Sequence, residues 1–118
     1  MSYLKIIVVD DDCNIAKSLS DILVLNGHEV TCSMSARQAL EFLDKQPYDC
    51  LISDIKMPNM DGIELSRQVK ASNHPIPIVL MTAYATQHLL SEIIGIGVDK
   101  VVLKPVEIES LLGYLAEL

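Results

Sequence analysis

The chain has 118 residues, half of them apolar, and 16 acidic against nine basic side chains give it a formal charge of −7. A chain of this length buries roughly two-thirds of its unfolded surface around one core. No apolar run approaches the ~18 residues of a membrane span, no basic segment followed by an apolar one opens the chain as a secretory signal would, and no Lys/Arg cluster offers the counterion release that nucleic-acid binding needs. We therefore expect a soluble, cytoplasmic protein with a single domain over residues 1–118, no output domain within it, no direct contact with nucleic acid or membrane, and an acidity suited to a cation or a basic partner. The core is aliphatic, since the chain has one Phe, four Tyr and no Trp. Cys13, Cys32 and Cys50 are odd in number and widely spaced, which favours buried reduced thiols over a zinc site or a disulfide framework. His28, His74 and His88 show no ligand spacing and read as loop or surface residues.

In chain order, Lys5 to Val9 is a short β-branched apolar run, as expected of a strand buried on both faces of a parallel sheet. It ends in Asp10-Asp11-Asp12. Ile15, Leu19, Ile22 and Leu23 then recur at helical spacing, and Asn26-Gly27 supplies a stop. Val30 to Cys32 is a short second strand. Ser35, with Gln38 three residues on, has capping-box spacing, and Leu40 and Leu43 carry that helix's apolar face to Gln46-Pro47. Tyr48 to Ser53 is the third strand, with Asp54 at its end.

The segment Leu51 to Gly62 then breaks into a loop at Pro58, which has no N–H for a ladder. Asp61-Gly62 reads as a turn pair, with the glycine allowing positive φ. Ile63 to Lys70 is the third helix. Pro75 and Pro77 precede a fourth strand, Ile78 to Met81, closed by Thr82. A fourth helix covers about Thr86 to Ile94, terminated by Gly95 and Gly97. Val101 to Leu103 is the fifth strand and runs into Lys104-Pro105. A last helix spans Glu107 to Leu118, with Leu111, Leu112 and Leu115 inward.

Five strands alternating with five helices predict an α/β fold, a doubly wound parallel sheet covered on both faces. The expected strand order is 2-1-3-4-5. Ligands of such sheets bind beyond the carboxyl ends of the strands, where Asp10, Asp11, Asp54, Thr82 and Lys104 would converge. Asp54 alone could simply cap its loop, and Asp10 to Asp12 could cap the first helix, but one aspartate suffices for that. Two carboxylates about 4 Å apart repel by roughly 4 kcal/mol at an effective dielectric of about 20. A domain has only about 5–15 kcal/mol in total. Such a pocket must hold a proton, use Lys104, or bind a hard cation. A few carboxylates plus water is the usual setting for Mg²⁺ beside a phosphate, which makes Asp54 a candidate nucleophile for phosphoryl transfer, with Lys104 and the cation stabilising charge and Thr82 donating to a phosphoryl oxygen.

Val8-Val9-Asp10-Asp11-Asp12, the run Asp54-Ile55-Lys56-Met57-Pro58-Asn59-Met60-Asp61-Gly62, Met81-Thr82-Ala83 and Lys104-Pro105 together resemble the receiver domain of two-component response regulators, in order and over essentially the whole chain. The resemblance implies a flavodoxin-like three-layer sandwich. It implies phosphorylation of Asp54 by a histidine kinase, a phosphotransfer protein or a small phosphodonor. It further implies Mg²⁺ (or Mn²⁺) held by Asp11, Asp54 and the Lys56 carbonyl, with Asp10 acting through water. Lys104 would contact the phosphoryl group, the Lys104-Pro105 peptide would be cis, and Thr82 would move to shift the face of helix four, strand five and helix five toward a partner or output domain. The family often has an aromatic three residues before the lysine. Val101 stands there, so a signal is expected through the loop and helix four. Lys56 and Tyr84 match positions that tune phosphoryl lifetime in the family.

Three other readings compete. Asp10-x-Asp12 also matches the haloacid-dehalogenase-like phosphatases, but no acidic pair follows Lys104 and the chain is short for a cap. A flavodoxin-like cofactor binder would need a Ser/Thr/Gly-rich phosphate loop where the three aspartates stand. A phosphorylation-independent interaction module would not require all five key side chains.

Overall fold

The computed structural model describes residues 3–73 and 75–118. The expectation for His74 lies outside them. Five strands, β1 (Lys5–Val9), β2 (Glu29–Ser33), β3 (Cys50–Asp54), β4 (Ile78–Thr82) and β5 (Lys100–Leu103), alternate with five helices, α1 (Cys13–Leu25), α2 (Ala36–Lys45), α3 (Gly62–Lys70), α4 (Gln87–Ile96) and α5 (Ile108–Ala116). The strands form one sheet in the order β2-β1-β3-β4-β5, every pair parallel.

The period-2 alternation of a strand divides its side chains between two cores. Ile7, Val9, Leu51, Ile78 and Leu80 face α2, α3 and α4 through Ala36, Ala39, Leu65, Val69 and Ile93. Ile6, Val8, Ile52, Val79 and Met81 face α1 and α5 through Ala16, Leu19, Leu23, Leu111 and Leu115. The three central strands are covered on both sides, which is why they read as unbroken apolar runs. Burying one Leu or Ile side chain fully is worth about 1.5–3 kcal/mol. A polar substitution at Ile52 or Leu80, both fully buried, would break either core.

Helix ends follow local chemistry. Ser35 caps α2 by accepting the Gln38 N–H at 3.1 Å, and the Gln38 side chain reaches back to the Met34 N–H at 2.9 Å. Thr86 caps α4 through the Leu89 N–H. Gly97 ends α4 with a φ of 93°, and Gly95 lies inside that helix rather than terminating it. The positive φ can be met without strain only by glycine at that position.

Several side chains depart from expectation. Ile15 is 42 % exposed, and the smaller Ala16 takes the inward place on α1. Leu112 is only partly buried, against its inward neighbours Leu111 and Leu115. Cys13 and Cys32 are exposed, and only Cys50 is a buried thiol. Burial pushes the Cys50 thiol up to about 12. His88 is exposed as expected, but His28 is buried, its Nδ1 accepting the Leu4 N–H at 3.1 Å. Gly62 does not adopt positive φ. It opens α3, and the left-handed residue of this loop is Asn59, with a φ of 69°. Asn tolerates that region because its short side chain can bond locally.

Candidate functional site

The sheet order makes β1 and β3 neighbours, with Val9 opposite Ser53. Asp10 follows β1 directly and is tied to the end of β2 by its N–H, which donates to Ser33 O at 3.1 Å. Asp54 is the last residue of β3, paired with Met81 of β4. Thr82 closes β4, and the Lys104 N–H donates to Thr82 O at 2.8 Å, which seats Lys104 just past β5. The side chains of Asp10, Asp11, Asp54, Thr82 and Lys104 thus come to the carboxyl edge of the sheet, with Lys56 in the loop that follows β3.

Carboxylate oxygens of Asp10, Asp11 and Asp54 lie within 4.8 Å of one another. Lys104 Nζ stands 3.1 Å from Asp54 Oδ2 and 3.7 Å from Asp10 Oδ2. The repulsion expected from the sequence is therefore partly offset by this lysine. It is not fully offset. Asp10 Oδ1 accepts the Asp12 N–H at 3.0 Å, while Asp10 Oδ2 is buried with no hydrogen-bond partner among the described residues. Burial, chiefly, raises the Asp10 carboxyl above the ordinary carboxylate range. The Asp12 N–H and Lys104 oppose that shift, and the charges of Asp54 and Asp11 add to it. A buried oxygen without a partner is costly in a native structure, and an ion is one of its common explanations.

Each aspartate has its own station. Asp12 caps α1, accepting from the N–H groups of Asn14 and Ile15 at 3.0 and 3.3 Å. Asp11 is exposed. Asp54 is buried as a residue, but its side chain keeps 12 % of its surface open and pairs with Lys104 rather than capping the loop. Three hard oxygen donors at this spacing suit a cation such as Mg²⁺, which takes one or two protein carboxylates and keeps several waters.

Thr82 does not bond Asp54. Its hydroxyl accepts the Tyr84 N–H at 3.1 Å and donates to the Tyr84 carbonyl at 3.0 Å. The Lys56 side chain is exposed, with its ammonium 6.0 Å from the centroid of the Tyr84 ring. That contact joins the loop after β3 to the loop after β4. Val101 packs against the core beneath α4. The Lys104-Pro105 peptide is cis. Two features escaped the sequence reading: the Ser53 hydroxyl, which donates to the Asp54 carbonyl at 2.8 Å, and the close approach of Gly62 to that same carbonyl. The Pro-Asn pair at 58–59 signals a turn, but nothing in it signals that approach.

The family model for the response regulator receiver domain matches residues 6–116. The response regulator protein FleR of Pseudomonas aeruginosa is 36 % identical over 112 residues, covering 95 % of this chain and 24 % of its own length. The transcriptional regulatory protein FixJ of Bradyrhizobium diazoefficiens is 36 % identical over 110 residues, covering 93 % of this chain and 54 % of its own. The chain thus spans about a quarter to a half of the length of these relatives. The crystal structure of the Vibrio cholerae chemotaxis protein CheY4 superposes with a TM-score of 0.92 at 30 % identity, covering 98 % of both chains. A sheet ordered 2-1-3-4-5, an acidic edge facing a lysine, and a family match over nearly every residue agree, and the chain belongs to the receiver domains of two-component response regulators.

Proposed function

We propose that residues 1–118 act as a phosphoacceptor unit in which Asp54 takes a phosphoryl group from a histidine kinase or phosphotransfer protein, in the cytoplasm. The observation that carries this is the position of Lys104 Nζ, 3.1 Å from the one carboxylate of the cluster that sits at a strand tip with its side chain partly open. An Asp54 oxygen attacks the phosphorus of the donor's phosphohistidine. The new P–O bond forms as the P–N bond breaks, and the imidazole leaves.

Asp10, Asp11, Asp54 and the Lys56 carbonyl are the groups that would hold Mg²⁺ (or Mn²⁺). When bound, the cation supplies positive charge for the transferring oxygens. Lys104 supplies a second positive charge beside Asp54. The same residues, facing a water in place of the imidazole, assist hydrolysis of the acyl phosphate. The chain is thus a signalling domain that promotes its own dephosphorylation.

The readout begins at Thr82. To donate to a phosphoryl oxygen, its hydroxyl must leave the Tyr84 carbonyl and give up the Tyr84 N–H. The loop after β4 then has two backbone groups to re-satisfy. With valine at 101 there is no ring to rotate, so the change passes into that loop and α4 and from there to a target protein or output domain. Two other readings fit less well. A phosphatase using Asp10 and Asp12 would need an accessible nucleophile and a free acid, yet Asp10 is 1 % exposed and Asp12 is occupied as a helix cap. A module indifferent to phosphate would have no use for the unpartnered Asp10 oxygen.

The test is labelling with acetyl phosphate and Mg²⁺, followed by peptide mapping. One phosphoryl group per chain on Asp54 is expected. A label on Asp10, or one that persists in Asp54→Ala, would overturn the assignment.

A further inference from the structure

The sequence presents Gly62 as a turn glycine, and the structure assigns it different work. Its backbone is helical, so conformational freedom does not explain it. Its surroundings do. A methyl group at Gly62 would stand 3.0 Å from Ile55 Cα and 3.1 Å from the Asp54 carbonyl carbon, and closer still to the Asp54 carbonyl oxygen. All three atoms are backbone, so none can swing aside as the end of a side chain would. The first turn of α3 is drawn onto this peptide by the Gly62 N–H, which donates to Ile55 O at 2.8 Å.

The other side of the Asp54 peptide is equally confined. The Ser53 hydroxyl donates to the Asp54 carbonyl, and the Ile55 N–H donates to Met81 O at 3.1 Å. The Ser66 hydroxyl donates to Gly62 O at 2.7 Å, which fixes the turn that presses on Asp54. Gly95, also inside a helix, has nothing within 4 Å of where its methyl would sit. Gly113, inside α5, is equally open, so of the three helical glycines Gly62 alone has backbone against it.

We infer that Gly62 is a positioning residue for phosphoryl transfer: the absence of a side chain there lets α3 rest on the Asp54 peptide and so sets where the Asp54 carboxylate stands relative to Lys104 and the other acids. This deepens the phosphoacceptor reading and rests on it. An added methyl must either lift α3 or push the 54–55 peptide, and the peptide carries the reacting carboxylate. Misplacement by about 1 Å can cost on the order of a hundredfold in rate.

The experiment compares wild type, Gly62→Ala and Gly95→Ala, each treated with acetyl phosphate and Mg²⁺. It measures the final stoichiometry and the rate constant at saturating phosphodonor separately, beside the Mg²⁺ concentration giving half-maximal rate. Gly62→Ala is expected to reach the same one phosphoryl group per chain with a rate constant roughly ten- to a hundredfold lower and a higher Mg²⁺ requirement. Gly95→Ala should match wild type in both. A purely structural role would instead lower the stoichiometry in step with the folded fraction and leave the rate constant of the folded chains unchanged. That result overturns the inference, as does a Gly62→Ala rate equal to wild type. If Gly62→Ala does not fold in plain buffer, the measurement is made in sucrose, which favours the compact state. A chain that stays unfolded there assigns the space to the fold and not to Asp54, and also overturns the inference. If wild type itself takes up no phosphoryl group, it is the phosphoacceptor reading that fails.

Discussion

At the amino-terminal ends of the strands, polar groups are matched. Lys5 N–H donates to Asp49 Oδ2 at 2.8 Å, and Asp49 N–H returns a bond to Lys5 O. Asp99 accepts both Lys70 Nζ at 2.9 Å and the Ile78 N–H at 2.8 Å, joining α3, β4 and the entry to β5. At the carboxyl-terminal ends, three carboxylates meet one lysine, and one buried oxygen has no hydrogen-bond partner among the described residues. The strands between are only four or five residues long, so the same backbone serves both ends. The contrast teaches where stability and chemistry are kept apart. One end closes its hydrogen bonds and holds the sheet, and the other leaves them incomplete where the proposed phosphoryl transfer would take place.

Substitutions at the two ends should therefore have opposite signatures. The largest effect expected is that of Asp54→Ala, which should reduce phosphoryl uptake to background while far-UV circular dichroism remains that of the wild type. Loss of secondary structure in this variant would erase the contrast. Next, Mg²⁺ should stabilise the native chain by mass action, by about 2.7 kcal/mol at a hundred times its dissociation constant. Asp11→Ala should lose most of that gain. A thermal midpoint indifferent to Mg²⁺ would remove the cation from the acidic end.

At the matched end, Asp99→Ala leaves the Ile78 N–H without its acceptor and frees Lys70. It should cost about 2 kcal/mol in urea unfolding, mostly from the unpaired N–H, since a partly exposed ion pair adds little. Its phosphorylation rate should equal that of wild type, and a fall in rate at unchanged folding would show the ends to be coupled. The smallest effect concerns the thiols. Cys13 and Cys32 should react with a thiol reagent in the native chain, and Cys50 only in denaturant. Burial holds the Cys50 proton to about 12 against an ordinary 9.0, so moderate alkali should not expose its thiolate while the fold persists. Three native thiols titrating together would show the core to be open.

Much of this was legible from the chain alone, for reasons that particular residues make plain. Ile6 to Val9 and Cys50 to Ile52 are apolar without interruption and lead into acids, and a strand tip at a ligand-binding edge accommodates both. Thr82 and Lys104 followed from the same rule. What periodicity could not give was direction and contact. Ile15 and Ala16 are adjacent, and hydrophobic weight favoured the wrong one of the two. His28 lies in the loop before β2, as its sequence suggests, but its burial follows from Leu4, 24 positions away, whose N–H reaches its Nδ1. Gly95 and Gly97 are equal as letters, but only the second has a left-handed backbone. The bond between Thr82 and Tyr84 is a local turn of the kind Ser and Thr make two residues on, but the pressure of Gly62 on Asp54 is a fact of tertiary placement, and no spacing rule encodes it.

The stranded Asp10 oxygen has a practical corollary. Three carboxylates against one lysine leave the pocket short of positive charge, so under the proposed cation binding the divalent content of the buffer would become a variable of the fold itself. Chain prepared in chelator and chain prepared in millimolar magnesium would then be different starting materials, and a stability difference between two variants would be meaningful only when both were handled the same way.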